Sequence, residues 1–480
     1  MDWHAVIYKF WPHIAAFFDL VACLLASGHT LLYKRDTRSA IIWLIVIWFI
    51  PVLGPVLYLV FGVNRIRRQA IKLGVCKTID RPIPENLGDT EAVGAEHLRH
   101  IAHVVSRVAT QALTSGNRIE PLINGDAAFP AMLAAIDAAE KSISLCSYIF
   151  DNDPSGKKFV AALKRAVQRG VAVRVLVDAA GARYSWPPIN WALHHARVPY
   201  ARFLPTPLFQ PWRVATINLR NHRKCLVVDG RIAFTGGMNI RHGNVLDALP
   251  PSPVKDLHFR VTGPVVTELQ EAFVNDWAFT TREILNDGTW FSDLEETGDV
   301  VARVITDGPD ADFENARWTL LAALAEAQTS VKILTPYFLP DNTLVTALNL
   351  AALRGVRVDI ILPAKNNLPV VHWASRSMWW QVLKHGCHLW LTPPPFDHSK
   401  LMIVDSHWVL LGSANWDARS LRLNFEMNVE CYGSEFSRTM EKILDLKLAA
   451  AQEVSLADVD ARTLFGKLRD AIARLFSPYL

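Results

Sequence analysis

Two long apolar stretches open the chain. Trp11 to Tyr33 is apolar apart from a few polar positions that include His13, Asp19 and His29, and Ile41 to Val63 carries no charged residue. The second stretch is long enough to cross a hydrocarbon core of roughly 30 Å. The pair predicts a membrane hairpin of two apolar helices over residues 1–72, ahead of a single span plus an interfacial segment. Pro51, Gly54 and Pro55 interrupt the second stretch and predict a kink or a re-entrant shape there. Asp19 would be costly against lipid, so it either makes a polar contact within the membrane or sits at a shallow, interfacial depth. The second stretch is flanked by Lys34-Arg35-Asp36-Thr37-Arg38 before it and by Arg65, Arg67, Arg68 and Lys72 after it. With positive charge at both ends, the positive-inside rule gives no clean orientation; the longer basic tail favours a cytoplasmic position for the rest of the chain. A cleaved signal peptide does not fit, because the basic leading region is nearly absent and a second apolar run comes after the first.

Beyond this, residues 73–114 read as a linker, Gly74 to Gly94, and an amphipathic helix, Glu96 to Leu113. The remaining pattern occurs twice, over 115–300 and 301–480. The first copy runs AAIDAAEKSISLCSYIF, a helix and then a strand ending at Phe150, followed by FVAALKRAVQRGVAVRVLVD, a helix and then a strand ending at Asp178. The second runs LLAALAEAQTSVKILTPYFLP and then LVTALNLAALRGVRVDIILP. Arg169-Gly170-Val171 returns as Arg354-Gly355-Val356, with Gly placed to cap a helix before a β-branched strand. Alternating helices and strands in two copies predict an α/β sandwich duplicated as a pseudo-dimer of two mixed-sheet halves.

Late in each copy comes the pattern H-x-K-x4-D: His222, Lys224 and Asp229, then His398, Lys400 and Asp405. On a strand, residues two apart share a face, so each copy sets an imidazole beside an ammonium. Asn239 and Asn415 both stand seventeen residues after the His, which makes chance an unsatisfactory explanation of the pair. Such a set suits a phosphodiester. Two lysines offset the charge of a five-coordinate transition state. One His can attack phosphorus while the other moves the proton of the leaving or entering alcohol. Each imidazole needs an acceptor on its other nitrogen. Asp256 and Glu426, downstream of His222 and His398, are the carboxylates expected to supply it, each half bringing its own. Asn239 and Asn415 are expected to bind phosphate oxygens. Asp229 and Asp405 complete the motifs and read as structural, holding the strand-end turn.

Composition adds little to this. Lys plus Arg number 50 against 46 Asp plus Glu, for a net charge of +4, which does not argue for a nucleic-acid binder. The six scattered cysteines form no metal or disulfide pattern, and His372, His385 and His388 have no partner at ligand spacing. Pro205, Leu208, Phe209, Pro211 and Trp212 before the first motif, and Trp373, Trp379 and Trp380 before the second, either pack at the domain edge or meet acyl chains. The tail Leu464 to Leu480 gathers Leu464, Leu468, Leu475 and Phe476 on one helical face; docking on the core is expected over lying on a membrane.

The doubled motif resembles the signature of the phospholipase D superfamily over residues 115 to 480. Within it, YLVFGVNRIRR, SYIFDND, FTGGMNI, TPYFLPDN, GSANWDARSLRLNFE and RLFSPYL resemble the bacterial cardiolipin synthases. The resemblance implies the superfamily's αβα sandwich, one active site between the halves, no metal or other cofactor, and a covalent phosphatidyl-histidine. It carries the nucleophile to His222 and the acid/base role to His398. It also implies a two-pass protein of the cell's inner (cytoplasmic) membrane, joining two phosphatidylglycerols into cardiolipin with release of glycerol. Phospholipids and the membrane are then the partners, and no nucleic acid is expected. Headgroup hydrolysis, transfer to another alcohol, a nuclease and a non-catalytic scaffold are the rival readings. Residues 203–219 vary across the superfamily, which leaves the acceptor alcohol open.

Overall fold

The computed structural model describes residues 3–34, 37–62, 88–90, 93–205, 219–308 and 312–477. It divides into two compact units, Met1–Leu73 and Gly74–Leu480. The basic cluster after residue 62, most of the expected linker and the proline-rich loop at 206–218 lie outside the described residues.

In the first unit, a helix spans Trp3–Tyr33, and His13–Tyr33 is long and apolar enough to cross a membrane. The second apolar stretch is not one straight span. It forms a helix at Thr37–Phe49, breaks, and resumes as Leu53–Leu57 and a π turn at Tyr58–Gly62. Thirteen helical residues rise only about 20 Å, short of the hydrocarbon thickness. The break lies at Pro51 and at Val52, whose φ is 62°. There the Val52 amide donates to Asp19 Oδ1 at 2.8 Å, so Asp19 takes up a backbone donor that the broken helix leaves free. The chain then runs back along itself. A side chain on Gly54 would lie 2.2 Å from the Val46 carbonyl oxygen, so glycine is what allows the two limbs to touch. Buried Tyr58 returns to the level of Trp43, with ring centroids 5.4 Å apart, and its hydroxyl meets His29 Nδ1 at 2.8 Å.

The second unit is built on one 15-stranded sheet. From the centre outward, the first half contributes Thr114–Ile123, Leu257–Thr262, Ile232–Gly236, Cys225–Val228, Ser142–Ser147, Ala172–Asp178 and Tyr200–Phe203. The second half contributes Val300–Asp307, Glu426–Tyr432, Trp408–Gly412, Leu401–Val404, Ser330–Leu334, Arg357–Pro363 and His388–Thr392, with Gln452–Val454 as an extra edge. The two orders correspond strand for strand. Both halves are mixed: Ser142–Ser147 pairs parallel with Ala172–Asp178 but antiparallel with Cys225–Val228. They join where Thr114–Ile123 meets Val300–Asp307 antiparallel, with an irregular register. The pseudo-dimer thus shares one continuous sheet.

Arg-Gly-Val does the same work in both halves. Gly170 and Gly355 end their helices at φ 89° and 91°, a left-handed conformation that favours glycine. The preceding arginine reaches back to the end of the previous helix: Arg169 donates to the carbonyls of Ile136 and Ala139, and Arg354 to those of Leu324 and Ala327. The N-terminal ends are capped by Asp153, on the Gly156 amide, and by Asp341, on the amides of Thr343 and Leu344. The amphipathic helix before the first repeat is shorter than its pattern suggests, Glu96–Ser106. It packs into the second half, where Arg303, fully buried, binds Ala102, Ser106 and Glu430.

Candidate functional site

His222 and Lys224 do not lie on a ladder strand. The strand begins at Cys225, and that of the second motif begins at Leu401. The His and Lys instead occupy the extended segment just before it, which pairs with the other half. The His222 amide donates to the Phe425 carbonyl, and the Phe425 amide to the Arg220 carbonyl, both at 2.8 Å. The mirror contact is the His398 amide on the Lys255 carbonyl at 2.8 Å, beside the parallel pairing of Phe396–Asp397 with Val254–Lys255.

This pairing corrects the assignment of carboxylates. Phe425 and Lys255 immediately precede Glu426 and Asp256, so each His segment is brought against the other half's carboxylate. His222 Nδ1 donates to Glu426 Oε2 at 3.0 Å, and His398 Nδ1 to Asp256 Oδ2 at 2.9 Å. The halves exchange partners, which sequence order alone could not reveal. With Nδ1 donating to a carboxylate, each neutral imidazole keeps its lone pair on Nε2.

The site is buried and its charges act on one another. Burial, reinforced by Lys224 and Lys400, pushes both imidazoles down to about 4, against the upward pull of their carboxylates. Burial also lowers Lys224 to about 8 and Lys400 to about 7, although Glu426 and Asp256 both favour their charged forms. Burial would raise Glu426 and Asp256, but His222 with Lys224 and Ser413, and His398 with Lys400 and the Leu257 amide, outweigh it and hold them below the usual carboxylate range. Each lysine perturbs the opposite motif's imidazole, so the two motifs form one electrostatic unit. Lys224 Nζ donates to the His222 carbonyl at 2.5 Å, and Lys400 Nζ to that of His398.

Asn239 accepts the Ile149 amide at 3.1 Å through its oxygen, leaving its amide nitrogen as a donor. Asn415 donates to Ser420 Oγ at 3.1 Å, while its oxygen is buried without a hydrogen-bond partner. Asp229 and Asp405 stand at the far end of their strands. Asp229 accepts the amides of Glu140, Lys141 and Ser142; Asp405 accepts those of Gln328, Thr329 and Ser330, and binds His97 at 3.0 Å. Both sit at positive φ in tight turns. Their role in the geometry is to tie two strand ends together.

Several neighbours carry no motif of their own. Tyr148 lies 4.8 Å from His222 between ring centroids and 5.6 Å from Lys224, and Tyr337 lies 6.3 Å from His398. Their signal was available: each stands at the end of the strand after the first helix of its repeat. Ser413 and Asn424 add hydrogen bonds to Glu426 at 2.5 and 3.0 Å. Arg223 is bound to Asp276 at 2.7 Å and braces the His222 segment. Of the expected aromatic cluster, Trp379 is buried and Trp373 carries the Arg469 guanidinium at 4.5 Å; Trp380 reaches the surface. Among the described residues, no group of three or more His, Cys, Asp or Glu side chains is arranged to hold a metal ion.

Comparison with known proteins shows the same division. The family described as cardiolipin synthase, PLD-like domain, matches residues 132–277 and 320–447, and a phospholipase D-nuclease N-terminal family matches 14–62. Among curated relatives, the cardiolipin synthase of Oceanobacillus iheyensis is 31% identical, over 95% of this chain and 96% of its own length. Cardiolipin synthase A of Pseudomonas fluorescens is 32% identical, over 98% of this chain and 99% of its own length. The phosphatidylserine synthase of Haemophilus influenzae has a similar fold, with a TM-score of 0.63 at 14% identity, covering 80% of this chain and all of that one. With both repeats and the N-terminal segment matched, the chain belongs to the cardiolipin synthase family of the phospholipase D superfamily and is a membrane-associated phosphatidyltransferase.

Proposed function

We propose that this phosphatidyltransferase makes cardiolipin from two phosphatidylglycerols and releases glycerol. The observation that carries this reading is the pair of buried imidazoles, each held through Nδ1 by the opposite half's carboxylate and each left with Nε2 for chemistry. In the first step His222 Nε2 attacks phosphorus, a P–N bond forms, and the P–O bond to glycerol breaks. His398, charged on Nε2, gives its proton to the departing alkoxide. The lowered pKa of His398 does not forbid that charge, because a bound phosphodiester anion favours the protonated imidazole. In the second step a terminal hydroxyl of another phosphatidylglycerol passes its proton to His398 and attacks phosphorus. The P–N bond breaks and His222 is restored. Lys224 and Lys400 balance the phosphoryl charge throughout, and Asn239 and Asn415 flank it.

The test is product analysis with purified protein and labelled phosphatidylglycerol. Cardiolipin and glycerol in equal amounts are expected, and both vanish in His222→Ala. Phosphatidic acid as the sole lipid product would make the enzyme a hydrolase instead.

The geometry of the first unit also bears on orientation. We propose one crossing by the His13–Tyr33 segment and a re-entrant turn by residues 37–62, in place of two crossings. The reversal at Asp19 and Val52 brings the chain back to the level of His29 by Tyr58. Both basic clusters, at Lys34–Arg38 and at Arg65–Lys72, then belong to one side. The positive-inside rule, divided for two straight spans, favours the cytoplasm for both and for the catalytic unit.

A further inference from the structure

The helix Leu464–Arg474 is docked the wrong way round for a soluble domain. Its contact with the helix Pro369–Arg376 is made by its polar side. Asp470, fully buried, accepts from Arg462 and Arg469 at 3.0 and 2.7 Å and pairs with Arg376 at 3.5 Å, while Ala473 packs beneath. Leu464, Phe465, Leu468, Ile472, Leu475 and Phe476 are left outside, each 54% exposed or more. At 100° per residue they fill an arc of roughly 120°. Sequence pattern alone expected this apolar face to be the docking face. The buried Asp470 with its three arginines reverses it.

The outward face is not isolated. On the neighbouring helices Val370 and Trp380 are 42% and 44% exposed, and Leu368 beside them is 48% exposed. Leu368 comes directly after Asn367, whose side chain accepts the Tyr337 hydroxyl at 2.8 Å, and Tyr337 stands beside His398. The first half carries aromatics at the corresponding edge. Tyr184 lies 6.4 Å from Tyr148, the ring against His222, and Trp186 and Trp191 nearby are 89% and 57% exposed. Tyr148 with Tyr184 therefore lies beside His222, and Tyr337 beside His398, with exposed apolar and tryptophan residues close in sequence to each.

We infer that this surface seats the catalytic unit in the interfacial layer of an anionic phospholipid bilayer, with the helix Leu464–Arg474 lying in the membrane plane. The charges fit that occupant. Lys467 and Arg474 border the apolar arc on one side, the arrangement of an interfacial helix that meets acyl chains with one face and phosphates with its margin. Exposed tryptophan suits the same depth. The inference rests on the phospholipid reading of the site and adds how a substrate with two acyl chains reaches it without leaving the bilayer.

The full chain in phosphatidylglycerol-containing vesicles tests it. An environment-sensitive fluorophore is placed on Leu468→Cys in a Cys76→Ser background, since the other five cysteines are buried. A control label goes on Glu140→Cys, at the exposed turn held by Asp229. Nitroxides at shallow depth in the lipid are expected to quench the Leu468 label at least threefold more than the control. Equal quenching at both positions overturns the inference. So does a shielded label that lipid nitroxides do not reach and that cross-links to a second copy, which would make the face a self-association surface. This readout stands whether or not the lipid product is cardiolipin. As a second measure, Leu468→Glu with Ile472→Glu is expected to lower turnover on vesicles tenfold or more while leaving turnover of monomeric short-chain phosphatidylglycerol unchanged. Equal loss on both substrates counts against the inference.

Discussion

Glu426 and Asp256 hold chemically identical rings, yet they are supported differently. Glu426 accepts from Ser413 and Asn424 besides His222. At the place of Ser413 the first half has Gly237, where a side chain would lie 2.6 Å from Asp256 Oδ1. Such unlike surroundings suit the proposed division of acid and nucleophile roles between the two imidazoles. The exchange of partners gives a direct prediction. In His398→Asn, given a phosphatidyl donor with a p-nitrophenol headgroup that leaves without a proton, the phosphatidyl-enzyme on His222 should accumulate, seen as a mass increase on the His222 peptide. Adding Glu426→Gln should slow its formation roughly 10- to 100-fold, the usual effect of removing an orienting carboxylate. Adding Asp256→Asn should change it little. The reverse ranking would restore the pairing within each half. The buried imidazoles also set a pH dependence. Their folded pKa values, about 4, lie below the unfolded value of about 6.5. Between those values the unfolded chain binds more protons, so stability rises with pH across the window and falls as pH drops toward 4. Denaturation midpoints measured from pH 6.5 to 4.5 should show that slope in the wild type and a shallower one in His222→Asn/His398→Asn, where buried His258, also lowered to about 4, still contributes.

At the scale of elements, the repeated Arg-Gly pair is a joint between successive helices. The glycine turns the chain and the arginine satisfies carbonyls at the end of the preceding helix. Arg354→Ala should therefore cost about 1–2 kcal/mol through unsatisfied carbonyls, and Gly355→Ala about 1 kcal/mol through its positive φ. Both should appear as lower thermal midpoints with kcat unchanged, because neither residue touches the site. A loss of kcat at full stability would show that the joint also positions Tyr337. The Glu96–Ser106 helix is a different case. Its amphipathic pattern was legible, but not its place in the second half, since the ion pair of Arg303 with Glu430 that accompanies it joins residues far apart in sequence.

For the whole molecule, the proposed single crossing and re-entrant turn would put Phe10 and Thr37 on opposite sides of the membrane. Single cysteines at Phe10 and Thr37, probed in spheroplasts with an impermeant maleimide, decide between topologies. Phe10→Cys should react from outside and Thr37→Cys only after lysis. The opposite pattern is that of two full crossings with a cytoplasmic catalytic unit, and would sink the proposed topology. Gly54→Val, which cannot accept the close approach of Val46, should destabilise the reversal and make Thr37→Cys partly reactive.

By itself the sequence determined the duplicated α/β architecture, the two His-Lys pairs, the asparagines and the turn-holding aspartates. Those are local properties: periodicity, spacing, and a motif repeated at fixed offset. It also placed Pro51, Gly54 and Pro55 where the second apolar stretch breaks. Only the tertiary structure decided which carboxylate serves which imidazole, because that depends on a backbone pairing between halves. Only it decided that His222 and His398 precede their strands, since the same pairing removes those residues from the ladder. It likewise decided which face of the Leu464–Arg474 helix is buried. Periodicity reports that a helix has two faces, but a buried carboxylate ringed by the nearby Arg462 and Arg469 and by the distant Arg376 fixed which one turned inward.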